Sequence, residues 1–255
     1  MRINNNLMAM NTHRQLGINN NAGSKSMEKL SSGFRINRAA DDAAGLSISE
    51  KMRGQIRGLN QASRNSQDGI SYIQTAEGAL NEVSSMLVRL KELSVQKANG
   101  TYNADDTANL DLEMTQLGTE IDNIIASTEF NGTNTFAGTI NVVISDDDTD
   151  VFAVGVAVAA QGLTAASATA DVETAITAIN TARSTFGAHQ NRLEHISNNL
   201  NTTSENLQAA ESRIRDVDMA AEMMEFTKNN ILQQASQAML AQANQAPQGV
   251  LQLLR

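Results

Sequence analysis

The feature that most constrains this chain is a helical seam in its last quarter. Leu193, Ile196, Leu200, Thr203, Leu207, Ala210, Ile214, Val217, Ala221, Met224, Lys228, Ile231, Ala235, Ala238 and Gln242 are spaced alternately three and four residues apart. That is the period of a helix wound against other helices. Neither Pro nor Gly occurs within it, so the sequence predicts one unbroken helix. At about 1.5 Å per residue such a helix is about 75 Å long, more than a compact domain of this size buries along its length. A seam of this kind requires a long partner.

The character of the seam changes along its course. Up to Lys228 the outer positions carry ordinary charge, among them Arg192, Glu194, Glu205, Glu211, Arg213, Arg215, Asp216, Asp218, Glu222 and Glu225. Between Asn229 and Leu254 there is no charged side chain, and amides take over: Gln233, Gln234, Gln237, Gln242, Asn244 and Gln245. A solvated helix face normally carries charge. An uncharged, amide-rich face suits burial on more than one side, because a hydrogen-bonded amide costs far less to bury than an unpaired charge. The alternative is a low-complexity tail with no fixed structure; the sustained apolar spacing favours burial.

The first 32 residues share this style. Ile3, Leu7 and Met10 form a helical stripe, surrounded by Asn4, Asn5, Asn6, Asn11, Asn19, Asn20 and Asn21. Asn is a mediocre helix former, so the segment is marginal alone. Two uncharged amphipathic termini read as complementary halves of one structure. Ordering about 60 such residues costs about 1–2 kcal/mol each in backbone entropy. Residues 1–32 and 229–255 are therefore expected to be mostly unstructured in a single chain and helical in an assembly.

Residues 33–54 are dense and irregular, with Gly33, Gly45 and the adjacent Asp41 and Asp42 favouring turns and helix starts. Arg35, Arg38, Lys51, Arg53 and Arg57 lie close in sequence to Asp41, Asp42 and Glu50. The segment is either a solvated mixed-charge surface or a polar contact between subunits. A helix then spans about 47–99, with Met52, Ile56, Leu59, Ile70, Ile73, Ala76, Leu80, Val83, Leu87 and Leu90 inward and Gly100 as its cap. Another spans about 104–127 on Leu110, Met114, Leu117, Ile121 and Ile124. Asn131-Gly132 marks a turn. Ile140, Val142, Val143 and Ile144, then residues 151–158, have the pattern of strands. Small residues fill 159–170, and Asp171 is placed as the N-cap of the returning helix.

The expected fold is mainly α: a long antiparallel helical bundle or coiled coil with paired N- and C-terminal helices and a small β-hairpin insert. Three domains are expected. Residues 1–44 with 213–255 form a terminal coiled coil, 45–135 with 171–212 a helical bundle, and 136–170 a small β-rich insert that is an exposed tip dispensable for assembly. Of the hydrophobic residues, which make up 41% of the chain, few are aromatic (3% of the chain), and there is one Pro and no Cys. The core is thus aliphatic, the helices long, and disulfide or thiolate-metal chemistry excluded. A net charge of −9 argues against general nucleic-acid binding. The first residues contain no apolar h-region, and no stretch approaches the apolar length of a membrane span.

The residues supply no catalytic set. His13, His189 and His195 are scattered, with no H-E-x-x-H pair, and no phosphate-cradling Gly-rich loop occurs. Asp146-x-Asp148-x-Asp150 begins like a calcium loop, but Val151 and Ala157 stand where that loop needs Gly and Glu. A solvated hairpin turn accounts for these carboxylates. No cofactor and no metal is expected, and the chain is not read as an enzyme.

Several ordered motifs together resemble bacterial flagellins. They are Arg2 to Leu7, Leu30-Ser31-Ser32-Gly33-Phe34-Arg35-Ile36-Asn37, Asp41-Asp42-Ala43-Ala44-Gly45-Leu46, Gly69-Ile70-Ser71, Ala76-Glu77-Gly78-Ala79-Leu80, Phe130-Asn131-Gly132 and Val250-Leu251-Gln252-Leu253-Leu254-Arg255. The likeness covers residues 1–135 and 175–255; the middle is short and unlike. It implies a structural subunit that polymerises into the helical flagellar filament for swimming, with the hook–filament junction protein as the alternative. It implies an extracellular location, reached through the flagellar type III export apparatus without a cleaved signal. The implied partners are further copies of the chain, an export chaperone, the filament cap, hook-junction proteins, and host Toll-like and cytosolic receptors. The Toll-like receptor motif falls on Arg89, Leu93 and Glu113, with Val88 in place of the usual Gln. The cytosolic receptor's leucines fall on Val250, Leu251, Leu253 and Leu254, which also serve assembly. The assembly seam comprises Ile3, Leu7, Met10, Met224, Ile231, Ala235 and Ala238.

Overall fold

Asn6 and Gly33 set the ends of the first helix, α1 (Leu7–Ser32). The Asn6 side chain accepts a hydrogen bond from the Ala9 N–H, and Gly33, at φ 75°, turns the chain left-handed while its own N–H closes on the Lys29 carbonyl. The computed structural model describes residues 6–253, with side chains to 245. Asp42 then receives the Gly45 N–H at the start of α2 (Ala43–Lys97). Asn103 and Asp106 form a reciprocal capping box on α3 (Ala104–Ser127). Asn131 and Gly132, both at positive φ, make the tight turn joining β1 (Glu129–Phe130) to β2 (Thr133–Asn134). A second antiparallel pair follows, β3 (Ile140–Val143) with β4 (Val151–Val154), in register from Ile140↔Val154 to Val143↔Val151. Two long helices complete the chain, α4 (Thr169–Arg215) and α5 (Met219–Leu253).

Three local expectations are corrected. The seam of residues 193–242 is not one helix: it stops at Arg215 and restarts at Met219. The cause is a contact with a segment about 180 residues away. Arg35 donates its N–H to the Arg215 carbonyl at 2.7 Å, the Val217 N–H donates to the Gly33 carbonyl, and Phe34 pairs with Asp216 as a β-bridge. Asp218 then caps α5, its carboxylate accepting from the N–H groups of Ala220 and Ala221. Gly100 does not cap α2, which ends at Lys97 and tightens through an Asn99 N–H to Gln96 carbonyl bond. Asp171 lies inside the first turn of α4, reaching back to the Ala168 N–H at 2.8 Å.

The chain divides into two compact units, Met1–Arg53 with Leu207–Arg255, and Gly54–Asn206. In the second unit, Tyr72, Ile73, Leu80, Leu87 and Leu90 of α2 pack with Met114 and Ile121 of α3 and with Ile179, Phe186 and Leu193 of α4 in one core. The expected inward positions of α2 and α3 lie in or against this core or are half-buried.

Residues 136–170 are part of that core rather than an exposed tip, and they belong to the second unit. Phe136, Val142, Phe152, Val154, Val158 and Leu163 are all buried in it. The Tyr72 hydroxyl donates to the Thr135 carbonyl, the Asn65 amide to the Val143 carbonyl, and the Gln161 N–H to the Asp122 carboxylate. Arg192 stacks over Phe152 at 4.3 Å, and His189 meets the same ring edge-on. Burial, then Arg192, pushes the His189 imidazole below its ordinary range. In the loop between β3 and β4, Asp147 accepts from Ser145 and Thr149, and those bonds hold its carboxyl below the usual range.

The close approach of this segment to α3 needs a glycine. A Cβ on Gly118 would sit 1.9 Å from the Leu163 carbonyl oxygen, whereas nothing lies within 4 Å of one on Gly78, in mid-α2. Gly118→Ala is expected to lower the unfolding free energy of the second unit by about 1–3 kcal/mol. Gly78→Ala is expected to raise it by about 0.5–1 kcal/mol, through helix propensity. Thermal or denaturant unfolding of the two variants checks this; equal effects would contradict the packing described.

Candidate functional site

The first unit has almost no apolar core. Of its described apolar residues only Ile36 and Ala243 are buried, while it holds twelve of the seventeen large apolar side chains that are exposed. Its helices α1 and α5 pair antiparallel, Asn6 lying near Ala243 and Lys29 near Glu222. On α1 the covered positions are Ala9, Thr12, Leu16, Asn19, Gly23, Ser26 and Leu30. On α5 they are Glu222, Phe226, Asn229, Gln233, Ser236, Leu240 and Ala243. Both sets step by three and four, as a coiled-coil seam does. Yet the most deeply buried members are Asn19, Ser26 and Asn229.

Hydrogen bonds make that burial tolerable. The Asn19 amide donates to the Ser236 hydroxyl at 3.1 Å, which itself donates to the Leu232 carbonyl. The Asn6 amide donates to the Ala243 carbonyl at 2.7 Å. Lys29 and Glu222 approach to 3.8 Å. Small and polar residues at these positions align the helices but bury little apolar area.

The expected assembly seam lies on the other side. Leu7 and Met10 are 63% and 65% exposed, Met224 and Ile231 69% and 60%. Ala235 and Ala238 are exposed with them. Each set is opposite the covered stripe of its own helix, half a turn away at 3.6 residues per turn. Met223, Met224, Thr227, Lys228 and Ile231 line a shallow apolar recess there. Ile3 and Leu254, and the side chains of Val250, Leu251 and Leu253 in the last turns of α5, lie outside the described residues. The described parts of both terminal segments are helical in the single chain, rather than mostly unstructured, because each gives the other a polar seam to pair with.

Residues 3–141 match the family model of the bacterial flagellin N-terminal helical region, and residues 169–254 that of the bacterial flagellin C-terminal helical region. The chain belongs to the bacterial flagellin family. A flagellin of Halalkalibacterium halodurans is 59% identical, with the whole of both chains aligned. The flagellar filament 33 kDa core protein of Treponema phagedenis is 48% identical, again over the whole of both. The crystal structure of Bacillus cereus flagellin is 35% identical over 58% of this chain and 94% of that one, at a TM-score of 0.48. Flagellins are structural proteins, not enzymes, and among the described residues no three His, Cys, Asp or Glu side chains are gathered as a metal site.

The polar segment after α1 in this flagellin is largely satisfied within the chain. Arg38 pairs with Glu28 at 2.9 Å, and Arg215 with Glu50 at 2.6 Å while stacking over Phe34. The Arg215 hydrogen bond holds the Glu50 carboxyl below its usual range. Arg35 donates to the Ile214 carbonyl. In the second unit, Arg89 and Glu113 join α2 to α3 through an exposed ion pair at 2.9 Å, whereas Leu93 is only 1% exposed and packs in the core. Arg89 and Leu93 thus point different ways despite their four-residue spacing.

The covered seam was missed by sequence reasoning because its most deeply buried residues are polar and its large apolar ones, Leu16, Leu30, Phe226 and Leu240, are few; only its heptad spacing, read without regard to hydropathy, would have revealed it. Asn19→Leu is expected to strengthen the α1–α5 pair by about 1 kcal/mol, as apolar area replaces an amide. Asn19→Ala should weaken it by a similar amount, about 1 kcal/mol, through loss of the hydrogen bond. Amide hydrogen exchange of residues 9–30 in the unassembled chain measures both. Equal weakening by both variants would contradict the seam.

Proposed function

We propose that this flagellin polymerises through the apolar faces that its own terminal helix pair leaves uncovered, and that the polymer is the flagellar filament used for swimming. The observation that carries this reading is the inversion of α1 and α5. Leu7, Met10, Met224 and Ile231 face outward, while the most deeply buried positions between the helices are Asn19, Ser26 and Asn229, with Leu16, Leu30, Phe226 and Leu240 half-buried beside them. Burying a large apolar side chain contributes about 1.5–3 kcal/mol, so covering even half of Leu7, Met8, Met10, Ile18, Met224 and Ile231 outweighs the polar seam within one chain. A second copy that covers this stripe with a different part of its own surface makes a head-to-tail contact, and repetition of such a contact generates a helical filament. The filament name carried by the Treponema relative supports this. The chain would act outside the cell, exported by the flagellar type III apparatus without a cleaved signal, and meet an export chaperone, the filament cap and hook-junction proteins on the way.

Met224→Glu and Ile231→Glu place a charge in the recess without touching the covered seam. Each is expected to abolish filament growth while the helicity of the unassembled chain stays within experimental error of the parent. Salt-induced polymerisation followed by electron microscopy and sedimentation decides it. Normal filaments from both variants would sink the proposal, and short collars from the parent chain would favour the junction protein.

Receptor recognition is the second part of the proposal. Arg89 and Glu113 are the exposed polar part of a Toll-like receptor contact, and buried Leu93 supports the helix beneath them. The cytosolic receptor would read Val250, Leu251, Leu253 and Leu254. Arg89→Ala is expected to weaken the Toll-like receptor response by about 2 kcal/mol, the size of an interface hot spot. A dose–response curve matching that of a neighbouring surface change, such as Glu92→Ala, would remove Arg89 from the site.

A further inference from the structure

The exposed surface of the terminal helix pair is rich in sulfur. On α1, Met8 and Met10 are 71% and 65% exposed; on α5, Met223, Met224 and Met239 are each at least half exposed. By contrast Met114, in the core of the second unit, is wholly buried. The chain has no Cys, so no thiol competes for a two-electron oxidant. Thioethers are the most readily oxidised groups it carries, and access decides which of them react.

We infer that the exposed methionines of this helix pair, chiefly Met8, Met10 and Met224, are a reversible modification site for hydroperoxides, and that their oxidation blocks assembly. The inference rests on the polymerisation reading given above. In the reaction the thioether sulfur attacks the distal oxygen of the peroxide. The O–O bond breaks, an S–O bond forms, sulfur is oxidised by two electrons, and the peroxide leaves as water or an alcohol. The product, methionine sulfoxide, is polar and stereogenic at sulfur. It sits badly in an apolar contact, as oxidation of Met-rich interfaces generally does. The covered seam contains no methionine: its buried members are Asn, Ser and Ala. Oxidation should therefore spare the helix pair and act on what the pair presents outward. Covering the stripe in a polymer removes Met10 and Met224 from solvent, so assembly protects those sulfurs from oxidation.

The full-length unassembled protein is treated with hydrogen peroxide, sulfoxides are located by peptide mass spectrometry, and polymerisation is followed by sedimentation. Met8, Met10 and Met224 are expected to oxidise about tenfold faster than Met114, and the critical concentration for assembly to rise about tenfold. Treatment with the two methionine sulfoxide reductases should restore assembly. The triple variant M8L/M10L/M224L should polymerise and stay competent after peroxide. Unchanged assembly of the oxidised parent, or equal loss in the triple variant, would overturn the inference. If the triple variant fails to assemble, rescue of the oxidised parent by the reductases decides alone. Untreated parent protein that never polymerises defeats the assembly reading itself, whereas growth indifferent to peroxide defeats only this inference.

Discussion

The hydrogen bond from the Asn19 amide to the Ser236 hydroxyl stands for the constraint on which the first unit depends. With Asn19, Ser26 and Asn229 the most deeply buried residues between α1 and α5, Leu16, Leu30, Phe226 and Leu240 are half-buried beside them and the other large apolar residues described in those helices are exposed. A buried amide must meet a partner, so few registers satisfy it, and the pair is aligned more strongly than it is stabilised. The helix junction at residues 216–218 serves the same end. The bridge between Phe34 and Asp216 ties the end of α1 to the start of α5, placing the two helices side by side before any apolar area is gained.

The two units therefore have opposite energetic characters. The second buries a continuous apolar core from α2, α3, α4 and the strands. The first draws on caps, one short bridge, a few ion pairs and a polar seam, and keeps its apolar residues at the surface. Local stability in proteins follows buried apolar contact, and segments that must rearrange or assemble come from the low end of that scale. A filament subunit gains from this division. The same exposure makes the outward methionines chemically accessible before assembly.

Much of the architecture was legible beforehand. Periodicity located α2 and α3 and their inward residues, Gly33 ended α1, and Asn131-Gly132 made its hairpin. The change from charged to amide-rich residues after Lys228 falls within α5, whose described part pairs with α1. The Arg89 and Glu113 ion pair was not legible in the sequence, and four-residue spacing from Arg89 could not show that the core claims Leu93. The insert was misread for a related reason. Its alternation of Gly, Ala and Val resembled an exposed tip, yet Gly118 of α3 lets the segment approach closely at Leu163.

By itself the sequence determined that helices would dominate, where most of them begin and end, which residues are apolar, and to which family the chain belongs. These are local properties, set by propensity, capping and spacing. Which stripe of a helix is covered, and by what, is not local. The positions from Met224 to Ala238 and those from Glu222 to Ala243 share the same three-four spacing, and only the docking of α1 decides between them. The break at Asp216 is likewise absent from local sequence, because it is imposed by backbone hydrogen bonds from Gly33 and Arg35. Tertiary structure made both decisions for one physical reason: a hydrogen bond or a buried area belongs to a pair of segments, and each segment alone supports either outcome.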